Sequence, residues 1–351
     1  MYKVVIDPSN RIRYSSFYIK GLEELFGKKN IFYSTKYFES LKRRTESHSF
    51  DHYMAFVLIK GSSITKIIID YRDKVTIKEN AYYWCDKYAK INFNKELSEI
   101  SFNNKIISIP PSFGIKLWGF WGTLYYCLLN LMRCKFSPLE STKIHFIDYF
   151  GMYFRRSRIE SYDKKQYHIR ELSNNKVKKQ FVFFISTLWQ HDNCIKGTNI
   201  LRKKFIELCK SHIEIEFEGG FYSKSSHPQY SKFKEIIFLN RYSIEKYISK
   251  TMLSSFVFNT PAVFNCHGWK LAEFLAMGKA IISTPILNEM PAKLIHGKNI
   301  HIVSNDSELE EAINLLVNNI NYRKHLEIEA KTYYEEFVSP KSVIKYILKN
   351  L

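Results

Sequence analysis

Short apolar runs recur from one end of the chain to the other, each closed by a turn signal and most followed by a stretch of helical period. In the first half they are Val4-Val5-Ile6, stopped by Asp7-Pro8-Ser9-Asn10, then residues 31–33, 53–59, 66–70, 88–93 and 106–109, the last before Pro110-Pro111. In the second half they are residues 181–185, 213–217, 236–239, 256–258 and 280–283. Runs this short read as strands, and strands alternating with helical segments argue for a parallel sheet with crossover helices. A chain of 351 residues is too long for one ordinary core. The expectation is therefore an α/β protein of two doubly wound units in series. The junction is placed late in residues 136–178, which are weakly patterned and rich in Arg, Lys and Ser.

Helix ends are marked by local chemistry. Residues 14–26 read as a helix stopped by Gly27, and Ser243 as the N-cap of a helix over 244–252. Residues 269–277 form a helix closed by Gly278, the residue type expected at a left-handed C-terminal position. Asp306 or Ser307 caps a helix to about residue 317, and a last helix spans 340–349.

Lys and Arg number 53 against 34 acidic residues, a net charge of +19 biased toward the N-terminal half. Such a balance favours polyanionic partners, whether nucleic acid, anionic lipid or phosphorylated small molecules, and also fits a solvated basic surface. No helix-turn-helix, zinc-finger or RNP signature accompanies it, so a nucleic-acid partner is not expected, although it stays the second reading. Cysteines at 85, 127, 134, 194, 209 and 266 form no CxxC pair or zinc-ligand spacing. The first residues read as a strand rather than a signal peptide, which points to a reducing cytoplasm.

The most apolar stretch, residues 117–132, is shorter than the roughly 20 residues that span a bilayer. Leu117, Phe120, Trp121, Leu124, Leu128 and Leu131 recur at helical spacing, with Arg133 and Lys135 after them. A buried helix is one reading. A helix at the membrane interface with a basic flank is the other. His48 and His52 read as loop residues flanking a strand start.

In an open parallel sheet, ligands bind beyond the carboxyl ends of the strands. In the second half, the loops 186–197, 218–222 and 260–268 lie there. The third leads straight into a helix N-terminus, where open backbone N–H groups attract phosphate. Gly268 permits close backbone approach, Lys270 adds a cation, and Glu273 can accept two hydrogen bonds from a ribose diol. Together they describe a nucleotide diphosphate site.

The segment from Pro261 to Thr284, Pro-Ala-Val-Phe-Asn-Cys-His-Gly-Trp-Lys-Leu-Ala-Glu-Phe-Leu-Ala-Met-Gly-Lys-Ala-Ile-Ile-Ser-Thr, resembles without gaps the donor-site signature of GT-B glycosyltransferases. It is most similar to the family-4, or group 1, enzymes. Pro261 matches the family proline, Gly268 the loop glycine and Gly278 the glycine closing the helix. Glu273 matches the second Glu of the Glu-x7-Glu motif, which holds the ribose. The resemblance covers residues 181–340, with Gly219 and Gly220 similar to the family's glycine loop. Three positions depart. Asn265 stands where the first motif Glu contacts the donor sugar. Ser186 and Thr187 replace a Gly-Arg, so that Lys196 is the candidate to supply the phosphate charge. His267 and Lys270, on either side of Gly268 and Trp269, occupy positions usually apolar or small.

The resemblance implies a GT-B fold, two Rossmann-like domains facing across a cleft. Residues 1–175 would form the acceptor domain with its linker, and 176–338 the nucleotide-sugar donor domain. Residues 339–351 would be a helix crossing back. The implied activity is a metal-independent transferase of hexosyl type in surface polysaccharide synthesis, consistent with the lack of any Asp-x-Asp motif. Its co-substrate would be a UDP- or GDP-linked sugar, with no other cofactor. Its acceptor would be a glycan or lipid-linked oligosaccharide. The protein would be cytoplasmic, at the inner face of an anionic membrane. If the reaction inverts, it needs a general base near the acceptor, and Asp7, Asp70 and Asp73 are the candidates. A non-catalytic GT-B-shaped partner in glycan assembly is the remaining alternative.

Overall fold

A computed structural model describes residues 2–41, 43, 53–96, 105–134, 139–163 and 179–351. His48, His52, Lys135 and the stretch 164–178 expected at the domain junction lie outside the described residues. The chain forms two compact units. Unit 1 comprises Met1–Ile159, Asn288–Pro291 and Glu336–Leu351, and unit 2 comprises Glu160–Leu287 and Ala292–Glu335. Both are α/β. All six cysteines are free and buried. No helix of the described residues is long and apolar enough to cross a membrane.

Unit 1 runs β1 (Tyr2–Ile6), α1 (Ile12–Phe26), β2 (Ile31–Tyr33), β3 (Tyr53–Lys60), β4 (Ser63–Asp70), α2 (Glu79–Trp84), β5 (Lys87–Lys90), β6 (Ile106–Ser108), α3 (Phe120–Cys134) and α4 (Leu139–Arg155). Its sheet has the order β2-β1-β3-β4-β5-β6. The expected all-parallel arrangement fails at β3, which is antiparallel to both β1 and β4. The reason is local. Only Gly61 and Ser62 separate β3 from β4, and so short a link joins only antiparallel neighbours. The other strands share one direction, so β1, β4, β5 and β6 end on the same edge.

Two contacts fix the helices of this unit. Gly21 of α1 lets the C-terminal helix Pro340–Lys349 approach, since a Cβ there would lie 2.1 Å from the Pro340 carbonyl oxygen. Arg11 offers α1 no side-chain cap. Asp148 of α4 takes that place, accepting the Arg13 amide at 3.3 Å.

Residues 139–155 are helical although their pattern is weak, because the buried face of α4 mixes His145 and Asp148 with Tyr149 and Met152. The buried-helix reading of residues 117–132 is also corrected. The inward face of α3 is Thr123, Cys127, Asn130 and Cys134. Asn130 donates to the Tyr149 hydroxyl at 2.7 Å, and His145 Nε2 lies 2.9 Å from the Cys127 carbonyl. Most of the large apolar residues of α3 face outward.

Unit 2 runs β7 (Gln180–Thr187), α5 (Asn199–Ser211), β8 (Ile215–Tyr222), α6 (Ile244–Leu253), β9 (Val257–Asn259), α7 (Trp269–Ala276), β10 (Ile281–Ser283) and β11 (His301–Ile302), then helices Asp306–Asn318 and Ile320–Tyr333. β7 pairs with β8, and β10 with both β9 and β11, all in parallel. The Ser255 amide donates to the Phe181 carbonyl at 2.7 Å and sets β7 beside the approach to β9. The core stacks Phe205 on Phe258 at 4.6 Å and packs Phe184 against Phe205 at 5.4 Å.

The local signals hold at Ser243, which accepts the Lys246 amide at 3.2 Å, and at Gly278, with φ 59°. The helix at 306 is capped one residue earlier than expected. Asn305 accepts the Glu308 amide at 2.9 Å while the Glu308 carboxylate accepts from the Ser304 amide at 2.7 Å, a reciprocal cap. Residues 236–239 are no strand. Ser231–Ile236 is a 3-10 turn, and Ile237 alone bridges to Phe221.

Candidate functional site

The carboxyl ends of β7, β9 and β10 lie on one edge of unit 2, and the loops that follow them meet there. Gly268 is the N-cap of α7 in extended geometry, with no side-chain cap bond and no acidic residue in the first turn. The loop before it is held stiffly. Phe264 and Asn265 both have φ 56°, a left-handed conformation that side chains rarely adopt. Asn193 holds it in place, donating to the Ala262 carbonyl at 2.9 Å and to Asn265 Oδ1 at 2.8 Å. Residues 259–261, 265–268 and 285–287 line a narrow recess at this edge. His267 and Asn265 belong to it.

Lys270 turns the other way, toward β7. Its ammonium donates to the backbone carbonyl of Ile185 and lies 5.0 Å from the Phe184 ring centroid. Burial, reinforced by the charge of Arg202 and opposed by that of Glu273, pushes its pKa down to about 7. Arg202 stands on α5 and is 6% exposed. Its Nε donates to Thr260 Oγ1 and its Nη1 to Ser186 Oγ, both at 2.8 Å, and Nη2 reaches the Pro261 carbonyl at 3.5 Å. Burial lowers its pKa to about 10, which leaves it a cation at neutral pH. No carboxylate among the described residues forms a salt bridge with Arg202 or Lys270. Two neighbouring cations whose hydrogen bonds go to neutral groups thus lie beside the N-terminus of α7.

Glu273 lies one turn further along α7 and is 8% exposed. The Tyr247 hydroxyl donates to Oε2 at 3.1 Å and the Tyr162 hydroxyl to Oε1 at 3.5 Å. Burial first, and then the Glu273 charge, raises the Tyr247 pKa well above its ordinary value. Both carboxylate oxygens thus accept from hydroxyl groups, the type of donor a ribose diol presents.

The remaining sequence candidates fall in different places. Ser186 is half-buried on Arg202, whereas Thr187 and Lys196 are exposed. Trp269 is half-buried in the first turn of α7. Gly219 and Gly220 are not a loop, which corrects the expectation, because β8 continues through them to Tyr222. Their φ values are 138° and 149°, and packing explains them. A Cβ at Gly219 would lie 1.8 Å from the Phe184 carbonyl oxygen, and one at Gly220 would lie 2.3 Å from that of Ile236.

In unit 1, Asp7 and Asp70 follow or end β1 and β4. Asp7 is buried, with Oδ1 accepting from the Ser9 amide at 2.9 Å and hydroxyl at 2.8 Å, and Oδ2 from Arg43 at 2.7 Å. Asp70 is fully buried among Arg72 (2.6 Å), Tyr88 (2.5 Å) and Lys90 (3.1 Å). Burial would raise its carboxyl, but the charges of Lys90 and Arg72 carry it below the usual range. Both carboxylates are engaged by the protein on both oxygens, an arrangement for holding strand ends together. Asp73 is exposed.

The sequence reading missed Arg202, Tyr162 and Tyr247. Arg202 shares the buried face of α5 with Asn199, Phe205, Ile206 and Cys209. A guanidinium on an otherwise inward-facing stripe is the signal that marks it.

No family model matches the chain, and no curated protein does. Among solved structures it is similar to TarM, with 12% identity over 78% of this chain and a TM-score of 0.45. That match covers 46% of TarM, under half its length. It is similar to Anabaena Alr3699/HepE in complex with UDP-glucose, with 14% identity, 77% of this chain and 79% of that one covered, and a TM-score of 0.38. The C-terminal domain of LpcC, a glycosyl transferase group 1 family protein from Francisella tularensis, matches at 14% identity over 44% of this chain and 83% of its own, with a TM-score of 0.33. These overlaps are loose, and the reading of the site rests on its own residues.

Proposed function

We propose that this protein is a GT-B glycosyltransferase that moves a sugar from a UDP- or GDP-linked donor to a glycan or lipid-linked oligosaccharide in surface polysaccharide synthesis. The observation that carries the reading is the pair Arg202 and Lys270, neighbours at the carboxyl edge of unit 2 that donate to hydroxyls and carbonyls, with Glu273 the acid whose charge acts on Lys270. A diphosphate supplies further negative charge. Arg202, Lys270 and the N-terminal end of the α7 dipole stabilise the charge that grows on it as the glycosyl bond breaks, the work a metal ion does elsewhere. Glu273 takes the ribose in exchange for its tyrosine donors. Asn265 lies nearest in role to the donor sugar, hydrogen-bonding a hydroxyl without adding charge. Unit 1 holds the acceptor, and Asp7, Asp70 and Asp73 remain the candidates for a base should the reaction invert. The transfer is of hexosyl type and metal-independent, with the nucleotide sugar as its only co-substrate, in the cytoplasm at the inner face of the membrane.

Thermal-shift measurements against UDP, GDP, CMP and their sugar conjugates test the reading. UDP or GDP should raise the melting temperature, and Glu273→Ala should abolish the rise. If no nucleotide shifts the transition, or if the shift survives Glu273→Ala and Arg202→Met unchanged, the site is misplaced. Binding without turnover of any sugar nucleotide would keep the site and remove the transferase.

A further inference from the structure

We propose that the outer face of α3 and α4 is a docking surface for an anionic lipid bilayer. The helix α3 is packed the wrong way round for a soluble protein. Its small and polar residues face inward, while Trp121 (77% exposed), Tyr125 (60%), Leu128 (42%) and Met132 (68%) form one outward line at helical spacing. Ile147 (55%) and Phe154 (67%) continue the apolar surface on α4. The two helices are joined across the face by aromatic contacts, Phe120 to Tyr153 at 5.8 Å and Phe120 to Phe150 at 6.1 Å. Single exposed apolar residues need no explanation, but a continuous stripe of this kind marks an interaction site.

Charge decides the occupant. Arg133, Lys143, Arg155 and Arg158 are exposed on or beside the same two helices. Among the described side chains of residues 116–159 the one carboxylate is Asp148, which is buried and paired with Arg11. A second copy of this chain would bring like charges face to face. An anionic bilayer offers the complement to both features. Acyl chains and the headgroup boundary accept Trp, Tyr, Leu and Met, and phosphate headgroups accept the arginines and lysines. The surface gives the membrane-side placement proposed above a location in the chain, and it stands or falls apart from the nucleotide site.

Cosedimentation of the full chain with vesicles tests this, using phosphatidylcholine alone or mixed with phosphatidylglycerol. Binding should be at least about tenfold tighter to the mixed vesicles and should weaken with salt. Tryptophan emission should move to the blue on binding. Trp121→Ser combined with Met132→Ser should weaken binding about tenfold or more and remove the emission change. Arg133→Glu with Arg155→Glu should remove the preference for the anionic vesicles. These positions are exposed, so the circular dichroism and any nucleotide-induced thermal shift should match the parent, which separates a failure here from a failure of the nucleotide reading. Absence of vesicle binding at low salt, binding unaffected by either double variant, or a concentration-dependent dimer broken by the Trp121 variant would each overturn the proposal.

Discussion

Each unit holds a pair of cations, one buried and one half-buried, at its strand ends, and the two pairs are answered differently. At the ends of β4 and β5, Arg72 and Lys90 close on Asp70, with the Tyr88 hydroxyl completing the set. At the ends of β7 and β9, Arg202 and Lys270 close on two hydroxyls and two carbonyls. Taking a cation out of water costs several kcal/mol unless charge and hydrogen bonds are returned to it. The first group is complete within the protein and reads as structural. The second has no carboxylate in hydrogen-bond contact among the described residues, only the Glu273 charge acting on Lys270, and the proposed diphosphate would supply the rest.

The largest effect expected from this contrast is in the closed group. Asp70→Asn keeps the shape but leaves Lys90 and Arg72 facing each other in a dry site. Urea denaturation should show a loss of about 3–5 kcal/mol. A loss below about 1 kcal/mol would mean that the cluster is solvated and the contrast false. The sign with pH follows from the lowered carboxyl of Asp70. Its contribution is present above the ordinary carboxylate value near 4 and is lost as pH falls through the folded value.

The open group should respond in the opposite sense. Arg202→Met removes a buried cation that no acid among the described residues pairs with, so stability should change by less than about 1 kcal/mol. Affinity for UDP or GDP, measured by calorimetry, should fall at least about tenfold, the loss of one charge-assisted contact. A variant that unfolds while its nucleotide affinity is spared would show that Arg202 is the structural one.

Lys270 sharpens the comparison through pH. Its free-state pKa is pushed down to about 7 by burial and by Arg202, and a bound diphosphate raises it again. The ammonium is already charged below pH 7, so affinity should be flat there. Above pH 7 binding must take up a proton, and affinity should drop about fivefold between pH 7 and 8. Lys270→Met should flatten the profile. An equal slope in the variant would assign the titration to another group.

The sequence carries some of this and not the rest, for physical reasons. Gly278 and Ser243 were legible because helix ends are decided by one or two residues. The start of the helix at Trp269 was legible for the same reason. The reversal of β3 depended on reading Gly61-Ser62 as a hairpin link. Helical period on α3 tells which residues share a face but not which face turns inward, and here the answer was Thr123 and Asn130 rather than Trp121 and Leu128. Arg202 was hidden because its meaning lies in Ser186 and Thr260, 16 and 58 residues away. The Gly219-Gly220 pair was visible, but its cause, the approach of the Phe184 and Ile236 carbonyls, is tertiary.

The smallest effect belongs to Ser186, where the resembling family carries a Gly-Arg. Its hydroxyl accepts from Arg202 at 2.8 Å and donates toward the Thr187 carbonyl at 3.5 Å. If Ser186 acts by aiming the guanidinium, Ser186→Ala removes one hydrogen bond and loosens Arg202 without removing its charge. Nucleotide affinity should then fall about two- to threefold, with the pH profile unchanged. In an Arg202→Met background the same change should do nothing further, because there is no guanidinium left to aim. If the two losses instead add, Ser186 meets the phosphate directly, and the charge moved onto α5 accounts for only part of what the Gly-Arg supplied.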